Sequence, residues 1–252
     1  MDLTVLIGII GAIASISIGD LLEGGNPVHV IHITSLIIVV PTAMFAAAAA
    51  TEASAIKAAF IELKMVFKQL PIDLESRIDE LVEYAIIVKK NGVLALEKHL
   101  LEMDDEFLKE ALNMVVDGSK EEQIEESLEP IIDETEHYYH SASHYWITAA
   151  ETSPTIGLIG AVLGLILALQ RLDNPAEMAA GIAGAFTATV TGIAFSYIFF
   201  GPWGSKMKSK SRIIIKEKEL ILYAAKAIVR GDVPGELKLK LTKMITIMPL
   251  KR

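Results

Sequence analysis

Two long apolar runs joined by a short polar link constrain the fold of this chain more than any other feature. The first run, residues 147–169, holds Glu151 as its only charged side chain, and the second, residues 179–200, holds none. Each run has about 22 residues. At about 1.5 Å per residue, a helix of that length crosses a hydrocarbon core of roughly 30 Å. The two runs therefore predict a transmembrane hairpin joined by the link 170–177.

Small residues recur at steps of three and four in both runs. They are Gly157, Gly160, Ala161, Gly164 and Ala168 in the first run, and Gly181, Gly184, Ala185, Ala188 and Gly192 in the second. Helices in lipid gain little from the hydrophobic effect when they associate, so close backbone approach at small residues holds them together. We expect the two helices to pack along these stripes.

Hydroxyl side chains lie beside the small residues. They are Thr155 in the first run and Thr187, Thr189, Thr191 and Ser196 in the second. Threonine in a membrane helix commonly donates a hydrogen bond to a carbonyl of its own helix, which requires no further role. The alternative is that one or two of the hydroxyls line a path for an ion, and the sequence leaves both interpretations open.

Charged side chains are missing from the middle of the hairpin. No Asp, Glu, His, Lys or Arg lies between Thr152 and Leu169 or between Met178 and Gly201. A proton relay at membrane depth normally uses such a group. If an ion crosses here, its titrating carboxylate is expected on another chain, which disfavours a stand-alone channel. A passive membrane scaffold or adaptor remains the alternative of a different class.

Two earlier apolar runs complete the predicted spans. Residues 3–18, extended towards Leu22, form the first span, and residues 28–50 form the second, with a kink expected at Pro41. The chain is thus predicted to be an all-α integral membrane protein with four transmembrane helices. Between spans two and three, four or five amphipathic helices are expected, with breaks at Pro71, Asn91-Gly92, Asp117-Gly118 and Pro130.

Charge predicts the topology. Residues 51–146 hold 9 Lys and Arg, the tail from Trp203 holds 13, and the links between spans hold only Arg171. By the positive-inside rule, the large segment, the tail and both termini are cytoplasmic. The predicted domains are 1–50 (spans one and two), 51–146 (cytoplasmic helical domain), 147–202 (spans three and four) and 203–252 (helical cytoplasmic tail). A pI near 5.2 argues against a nucleic-acid partner.

Two prolines and three histidines have ordinary structural explanations. Pro154 is expected in the first turn of the third span and Pro202 at the end of the fourth, where proline costs little. His137, His140 and His144 share a helical face, but we expect no metal site there, because the chain has no Cys and zinc needs three or four well-placed ligands. We also find no nucleophile–base group, so neither an enzyme nor a cofactor is predicted.

Several sequence blocks resemble the MotA/TolQ/ExbB proton channel family, in particular its flagellar motor stator proteins. The blocks are residues 153–161, Asp173-Asn174-Pro175, residues 178–182, residues 187–192, Gly201-Pro202-Trp203 and the charged stretch 89–97. The resemblance covers the whole chain. The TolQ and ExbB relatives have three spans with the large loop after the first, a pattern that does not fit here.

The resemblance implies a function in the bacterial inner membrane. Stator subunits of this type form a ring, taken to be a pentamer, around two helices of a MotB-type single-span partner that carries the ion-accepting Asp. Ion passage drives the ring, which pushes on the rotor protein FliG. Pro154 and Pro202 match family prolines that couple ion passage to movement. Glu97 matches an acidic rotor-contact residue, and Lys89 or Lys90 stands for a basic one that is usually Arg.

The resemblance also bears on the ion. Thr155 and Thr189 are the candidate hydroxyls of the ion path; a Thr matching Thr189 appears in both proton- and sodium-using stators, whereas sodium-using stators also carry a Thr where this chain has Ala161. A sodium ion needs several oxygen ligands, whereas a proton needs a single acceptor. Ala161 removes one oxygen, so protons are favoured over sodium. An energy-transducing subunit of the TolQ/ExbB kind, serving another machine, remains an alternative.

Overall fold

The computed structural model describes residues 2–26 and 32–246, and every regular element in those ranges is helical. The helices are α1 (Leu3–Leu22), α2 (Ile33–Ala49), α3 (Ala53–Ile61), α4 (Leu63–Phe67), α5 (Leu74–Asn91), α6 (Glu97–Leu101), α7 (Glu106–Val116), α8 (Glu121–Leu169), α9 (Pro175–Ala194), α10 (Gly201–Arg230) and α11 (Pro234–Ile245). A 3₁₀ turn, Val93–Leu96, precedes α6, and a π-helical segment, Phe195–Phe200, joins α9 to α10. The all-α prediction is confirmed.

The chain divides into two compact units. The first comprises Met1–Gln69 and Tyr138–Lys210, and the second comprises Leu70–His137 and Ser211–Arg252. Among the residues that the structure describes, three helical stretches are long and apolar enough to cross a membrane: Leu3–Leu22, Glu121–Leu169 and Pro175–Arg230.

The predicted second span corresponds to α2, which is apolar and has 17 residues. The predicted start of this span, residues 28–31, lies outside the described residues. Pro41 lies inside α2. Helix α2 packs along α9, and its buried residues follow each other at four-residue steps, namely Ser35, Val39, Ala43 and Ala47. One narrow face of α2 is therefore covered, as a small-residue contact between helices requires.

Helices α8 and α9 meet at their glycines, as the stripes predict. A Cβ atom added at Gly157 would lie 2.9 Å from the carbonyl oxygen of Ala188. One added at Gly192 would lie 2.6 Å from the carbonyl oxygen of Ser153. Real Cβ atoms do not approach backbone this closely, so this contact requires glycine at both positions.

Further along the hairpin the same packing continues. A Cβ at Gly164 would lie 2.9 Å from the amide nitrogen of Ala185, and one at Gly181 would lie 3.0 Å from the Cβ of Ala168. Gly184 differs, because a Cβ there would have no neighbour within 4 Å. The stripe thus describes the contact correctly except at Gly184, which lines an open groove together with Gly160 and Gly164.

The second unit has its own hydrophobic core. Its helices α5, α7 and α11, with the start of α8 and the end of α10, bury a continuous cluster. The largest side chains in it that are almost inaccessible are Leu81, Leu96, Leu108, Leu112, Ile124, Leu128, Leu220 and Ile221. Leu108 and Leu112 in α7, and Ile124 and Leu128 in α8, are four residues apart, as the amphipathic pattern of the sequence predicts.

The predicted breaks in this region are confirmed at three places and wrong at one. Pro71 lies between α4 and α5, and Gly92 and Gly118 adopt the positive φ angles of 82° and 73° that end helices at glycine. Pro130, however, lies inside α8. A proline removes one backbone donor from a helix, but the helix continues here because Leu128 beside it is fully buried.

We expect Gly192→Ala to destabilise the hairpin, because its methyl group would displace the backbone at Ser153. Overpacking of this kind costs about 1–3 kcal/mol. Gly184→Ala is the matched control on the same helix, since its methyl group enters open space. Thermal unfolding of the purified protein in detergent measures both variants. A Gly192→Ala protein as stable as the control would contradict the close contact.

Candidate functional site

The expected ion-path residues lie beside the crossing of α8 and α9. Thr155 is exposed, and Ala161 and Thr189 are half-buried. Ala161 directly follows Gly160, where an added Cβ would lie 2.9 Å from the Cβ of Ala188, and Thr189 directly follows Ala188. Ala161 and Thr189 therefore flank the same point of contact, without filling it.

The hydroxyls bond to their own helices. Thr155 donates to the carbonyl of Thr152 at 2.7 Å, and Thr189 donates to the carbonyl of Ala185 at 3.5 Å. The first interpretation, in which each hydroxyl donates a hydrogen bond within its own helix, is therefore confirmed for these two residues. Each hydroxyl uses its proton in this bond, but its oxygen keeps lone pairs that accept a hydrogen bond. A hydroxyl fixed in this way still has an oxygen that can accept a hydrogen bond from water, so the role in an ion path stays a prediction.

The charged groups of the hairpin lie at its ends. At the end where the link joins the two helices, Arg171 forms an ion pair with Glu177. The side-chain oxygen of Asn174 caps α9 by accepting a hydrogen bond from the backbone N–H of Glu177. Towards the other end, Glu151 is exposed on α8. Between these ends the helix pair offers hydroxyl oxygens and no carboxylate. It can hold water or guide an ion, but it has no group that binds a proton strongly.

Pro154 does not begin a helix, contrary to the expectation for a first-turn proline. Helix α8 runs from Glu121 through Pro154 to Leu169. Pro154 has no N–H group, so the carbonyl of Ala150 lacks its usual helical donor. The neighbouring Ser153 is fully buried, and its Oγ donates to the carbonyl of Gly192 at 2.9 Å. This bond to α9 holds the helix together at the point where proline weakens it.

Pro202 likewise does not end a helix. It is the second residue of α10, directly after the π-helical segment Phe195–Phe200. Gly201 donates to the carbonyl of Ser196, five residues back, as a π-helical turn requires. Because Pro202 cannot donate, the α-helical ladder is interrupted there, and the wider π turn takes up the interruption. Such π segments are frequent at functional sites.

A hydroxyl pair between α2 and α9 was not predicted. Ser35 on α2 is buried, and its Oγ lies 3.1 Å from Oγ1 of Thr187. Thr187 also donates to the Gly184 carbonyl at 2.9 Å. Thr187 was among the candidate hydroxyls of the sequence but Ser35 was not, because nothing in the sequence indicates which face of α2 meets α9.

The charged residues of the stretch 89–97 lie in the second unit. Lys89 and Lys90 end α5, Glu97 begins α6, and all three side chains are exposed. Gly92, with a φ angle of 82°, separates the two helices. Lys90 and Glu97 would share a helical face only without a break at Gly92, so the structure excludes that arrangement. The three charges are presented on either side of a turn.

Arg77 joins three segments of the second unit through ion pairs. Its guanidinium lies 2.7 Å from Glu80 on α5, 2.9 Å from Asp105 at the start of α7 and 2.7 Å from Glu217 on α10. Burial opposes the charge of Arg77, but its bond to Glu217 and the nearby carboxylates outweigh burial and raise its pKa above the usual value. The sequence could not predict this, because its partners are 28 and 140 residues away.

The histidines of α8 form no ligand set. His140 and His144 stack with their ring centroids 6.1 Å apart. Within residues 2–26 and 32–246, no group of three His, Cys, Asp or Glu side chains is arranged to hold a metal ion. His137 belongs to the second compact unit, whereas His140 and His144 belong to the first.

Comparison with known sequences identifies a family. The sequence profile of the MotA/TolQ/ExbB proton channel family matches residues 99–220. Motility protein A of Helicobacter pylori is 54% identical over 97% of this chain and 95% of its own length. Motility protein A of Bacillus subtilis is 31% identical over 96% of this chain and 90% of its own length.

Comparison with solved structures finds relatives of the same kind. The structure of C. jejuni MotAB matches with a TM-score of 0.94 at 50% identity, covering 98% of this chain and 97% of that chain. The flagellar MotAB stator complex from Bacillus subtilis matches with a TM-score of 0.88 at 30% identity, covering 97% of this chain and 96% of that one.

We expect Arg77→Met to destabilise the second unit, because it leaves Glu80, Asp105 and Glu217 without their shared cation. Breaking a buried ion pair costs about 3–5 kcal/mol, and the partial exposure of Glu80 and Asp105 reduces this to about 2–3 kcal/mol. Lys238→Met is the control, since its pair with Asp79 is largely exposed. Chemical denaturation measures both, and equal stability of the two variants would contradict the role of Arg77.

Proposed function

Because this chain belongs to the MotA/TolQ/ExbB proton channel family, we propose that it is a stator subunit of the bacterial flagellar motor. In this role it converts ion flow across the inner membrane into torque. The observation that carries the proposal is the α8–α9 pair, which combines hydroxyl oxygens with a complete lack of charged groups between Thr152 and Leu169 and between Met178 and Gly201. The similarity of the whole chain to motility proteins supports the same function.

The ion-accepting group then belongs to a partner. We propose that several copies of this chain, five by analogy with the family, surround two helices of a MotB-type single-span protein that carries the Asp. The solved relatives are complexes named MotAB, which supports a partner of this kind. The small and hydroxyl-bearing faces of α8 and α9 suit a close approach by a foreign helix.

The proposed topology is supported by the distribution of charge and by contacts of Asp2. We propose four spans, with residues 51–146 and the tail from Trp203 in the cytoplasm together with both termini. Domain limits of 1–50, 51–146, 147–202 and 203–252 describe this arrangement. The amide of Asp2 donates to the Phe67 carbonyl at 2.8 Å, and its carboxylate lies 2.9 Å from Nζ of Lys206. Both contacts support placing the beginning of the chain and the segments after the second and fourth spans on one side of the membrane.

Protons are the proposed cargo. Thr155 and Thr189 keep lone pairs that accept hydrogen bonds from a proton-carrying water, whereas Ala161 contributes no oxygen. A chain of waters needs few fixed ligands, but a dehydrated sodium ion needs several. The missing oxygen at Ala161 therefore favours protons over sodium. No cofactor or catalytic activity is part of the proposal.

The two prolines are proposed to couple ion passage to movement. Pro154 and Pro202 each interrupt the backbone ladder of a continuous helix. A helix bends most easily where a hydrogen bond is missing, so a charge change on the partner near α8 and α9 would be absorbed at these points. Movement of α8 and α10 would reach the second unit, because both helices continue into it.

The rotor contact is proposed at Lys89, Lys90 and Glu97, whose partner would be the rotor protein FliG. All three side chains are exposed around the Gly92 turn, and none is used in a salt bridge within the described residues. Charges of both signs in one small area suit a transient contact, because exposed pairs contribute little affinity but guide orientation.

Two other functions are less well supported. A non-conducting scaffold would have no need of prolines inside both α8 and α10. A TolQ/ExbB-like subunit for another machine belongs to the same family, but the relatives that match almost the whole chain are motility proteins. The stator function is therefore preferred.

We expect Pro154→Ala to leave membrane insertion intact and to abolish swimming in cells that depend on this stator. Alanine restores the missing donor and stiffens α8, so assembly should persist while torque is lost. Ala183→Ser, at an exposed position of α9, is the control. Normal swimming speed of Pro154→Ala would count against the coupling role.

The ion is tested by motor speed in medium without sodium at a fixed proton-motive force. We expect unchanged speed, because the single oxygen lost at Ala161 disfavours sodium. The variant Ala161→Thr reports whether an added oxygen alters the dependence. A motor that stalls when sodium is removed would show that the proposed ion is wrong.

A further inference from the structure

Helix α1 leaves a groove along the first unit. None of its residues is buried, and it touches the rest of the unit mainly at α4 and at the π-helical segment. Beside that contact lies a groove of about 450 Å³. Gly8 and Ala12 line it from α1, and Ile198 and Pro202 line it from the opposite side. A Cβ added at Gly8 would have no neighbour within 4 Å, so the space is open.

One end of the groove is polar, whereas the rest is apolar. Thr4 from α1 and Ser205, Lys206 and Ser209 from α10 line this end. The four side chains bring hydroxyls and one ammonium group to the mouth of an apolar channel. That combination matches a molecule with a hydrocarbon tail and a polar, negatively charged head.

The polar end carries an excess of positive charge. The carboxylate of Asp2 lies 2.9 Å from Nζ of Lys206 and 2.8 Å from Nζ of Lys210. Hydrogen bonds from Lys210, Thr4 and Lys206 hold the pKa of Asp2 far below its usual value, so it stays ionised. Two ammonium groups therefore share one carboxylate, which leaves one positive charge uncompensated within this group.

The two lysines differ in what they can still bind. The side chain of Lys210 is only 7% exposed, and its Nζ also donates to the carbonyls of Met65 and Val66. The side chain of Lys206 is 29% exposed, and the contacts described for its Nζ are Asp2 and Thr4. An ammonium group has three donors, so Lys206 can bind a further acceptor at the mouth of the groove.

We propose that this groove binds an anionic phospholipid, with an acyl chain along α1 and the phosphate at Lys206. The inference rests on the proposed topology, which puts Asp2 and Lys206 at the cytoplasmic face, where anionic lipids attract basic side chains. A neighbouring copy of the chain could fill the apolar part, but it would not explain the uncompensated charge and the hydroxyls at one end. The lipid accounts for both parts of the groove.

The test uses the full-length chain purified in detergent and measures lipid binding directly. Phosphatidylglycerol is added to mixed micelles, with phosphatidylcholine and inorganic phosphate as separate arms. We expect phosphatidylglycerol at about 100 times its Kd to raise the Tm by roughly 5 °C, and the other two to raise it little. Native mass spectrometry counts the lipids retained by each copy.

Two variants identify the site independently of folding and of motor function. Lys206→Gln removes the charge and should weaken phosphatidylglycerol binding about five-fold. Gly8→Leu fills the groove without changing any charge and should reduce binding as well. Lys208→Gln removes a charge from an exposed residue of α10 that does not line the groove, and it should bind normally.

Several results would overturn the proposal. They are equal stabilisation by phosphatidylcholine, stabilisation by inorganic phosphate alone, equal loss in Lys208→Gln, or a Gly8→Leu protein that loses its oligomeric mass but keeps its lipid. The last result would assign the groove to a neighbouring copy. Since binding is measured without ion flow, a failure here leaves the stator function to its own tests.

Discussion

The approach of α8 to α9 at Gly157 and Gly192 sets the geometry of the first unit. At both positions a methyl group would collide with backbone of the facing helix. Because the glycines take up the contact, Thr155 and Thr189 are left beside it, with their protons bonded to helix carbonyls and their lone pairs available. A hairpin with larger residues at the contact would separate the helices and lose this arrangement of oxygens.

The prolines give the same helices a second property. Pro154 lies inside α8, Pro202 lies inside the continuous helical stretch Pro175–Arg230, and each is compensated nearby. Ser153 bonds across to Gly192, and the π turn before Gly201 absorbs the lost donor. The hairpin is therefore closely packed at its glycine contact and lacks a backbone donor at two defined points, which agrees with the proposed coupling role.

The sequence was sufficient wherever a local rule decides the structure. Uncharged apolar runs indicated helices, and Gly92 ended α5 because only glycine takes a φ angle of 82° at little cost. The rules failed where packing outweighs them. Pro130 and Pro154 lie within α8 because neighbouring residues are buried against other helices, and this burial has no local signal.

The site was predicted only in part for a related reason. Small residues and hydroxyls have fixed positions along a helix, so their shared faces could be predicted from spacing. Contacts between distant segments could not, and the bonds of Arg77 to Glu217 and of Asp2 to Lys206 join residues that are far apart in the sequence. Such pairs need the three-dimensional fold before their partners are known.

The central claim is that Thr155 and Thr189 face a partner helix that carries the ion-accepting acid. The chain contains no Cys, so a single introduced thiol gives an unambiguous cross-link. Disulfide formation between Thr189→Cys and a cysteine placed in the membrane helix of the single-span partner tests the claim, with Val190→Cys, about 100° away around α9, as the control. We predict a cross-link for Thr189→Cys and none for Val190→Cys. Cross-links that join only copies of this chain to each other would contradict the account.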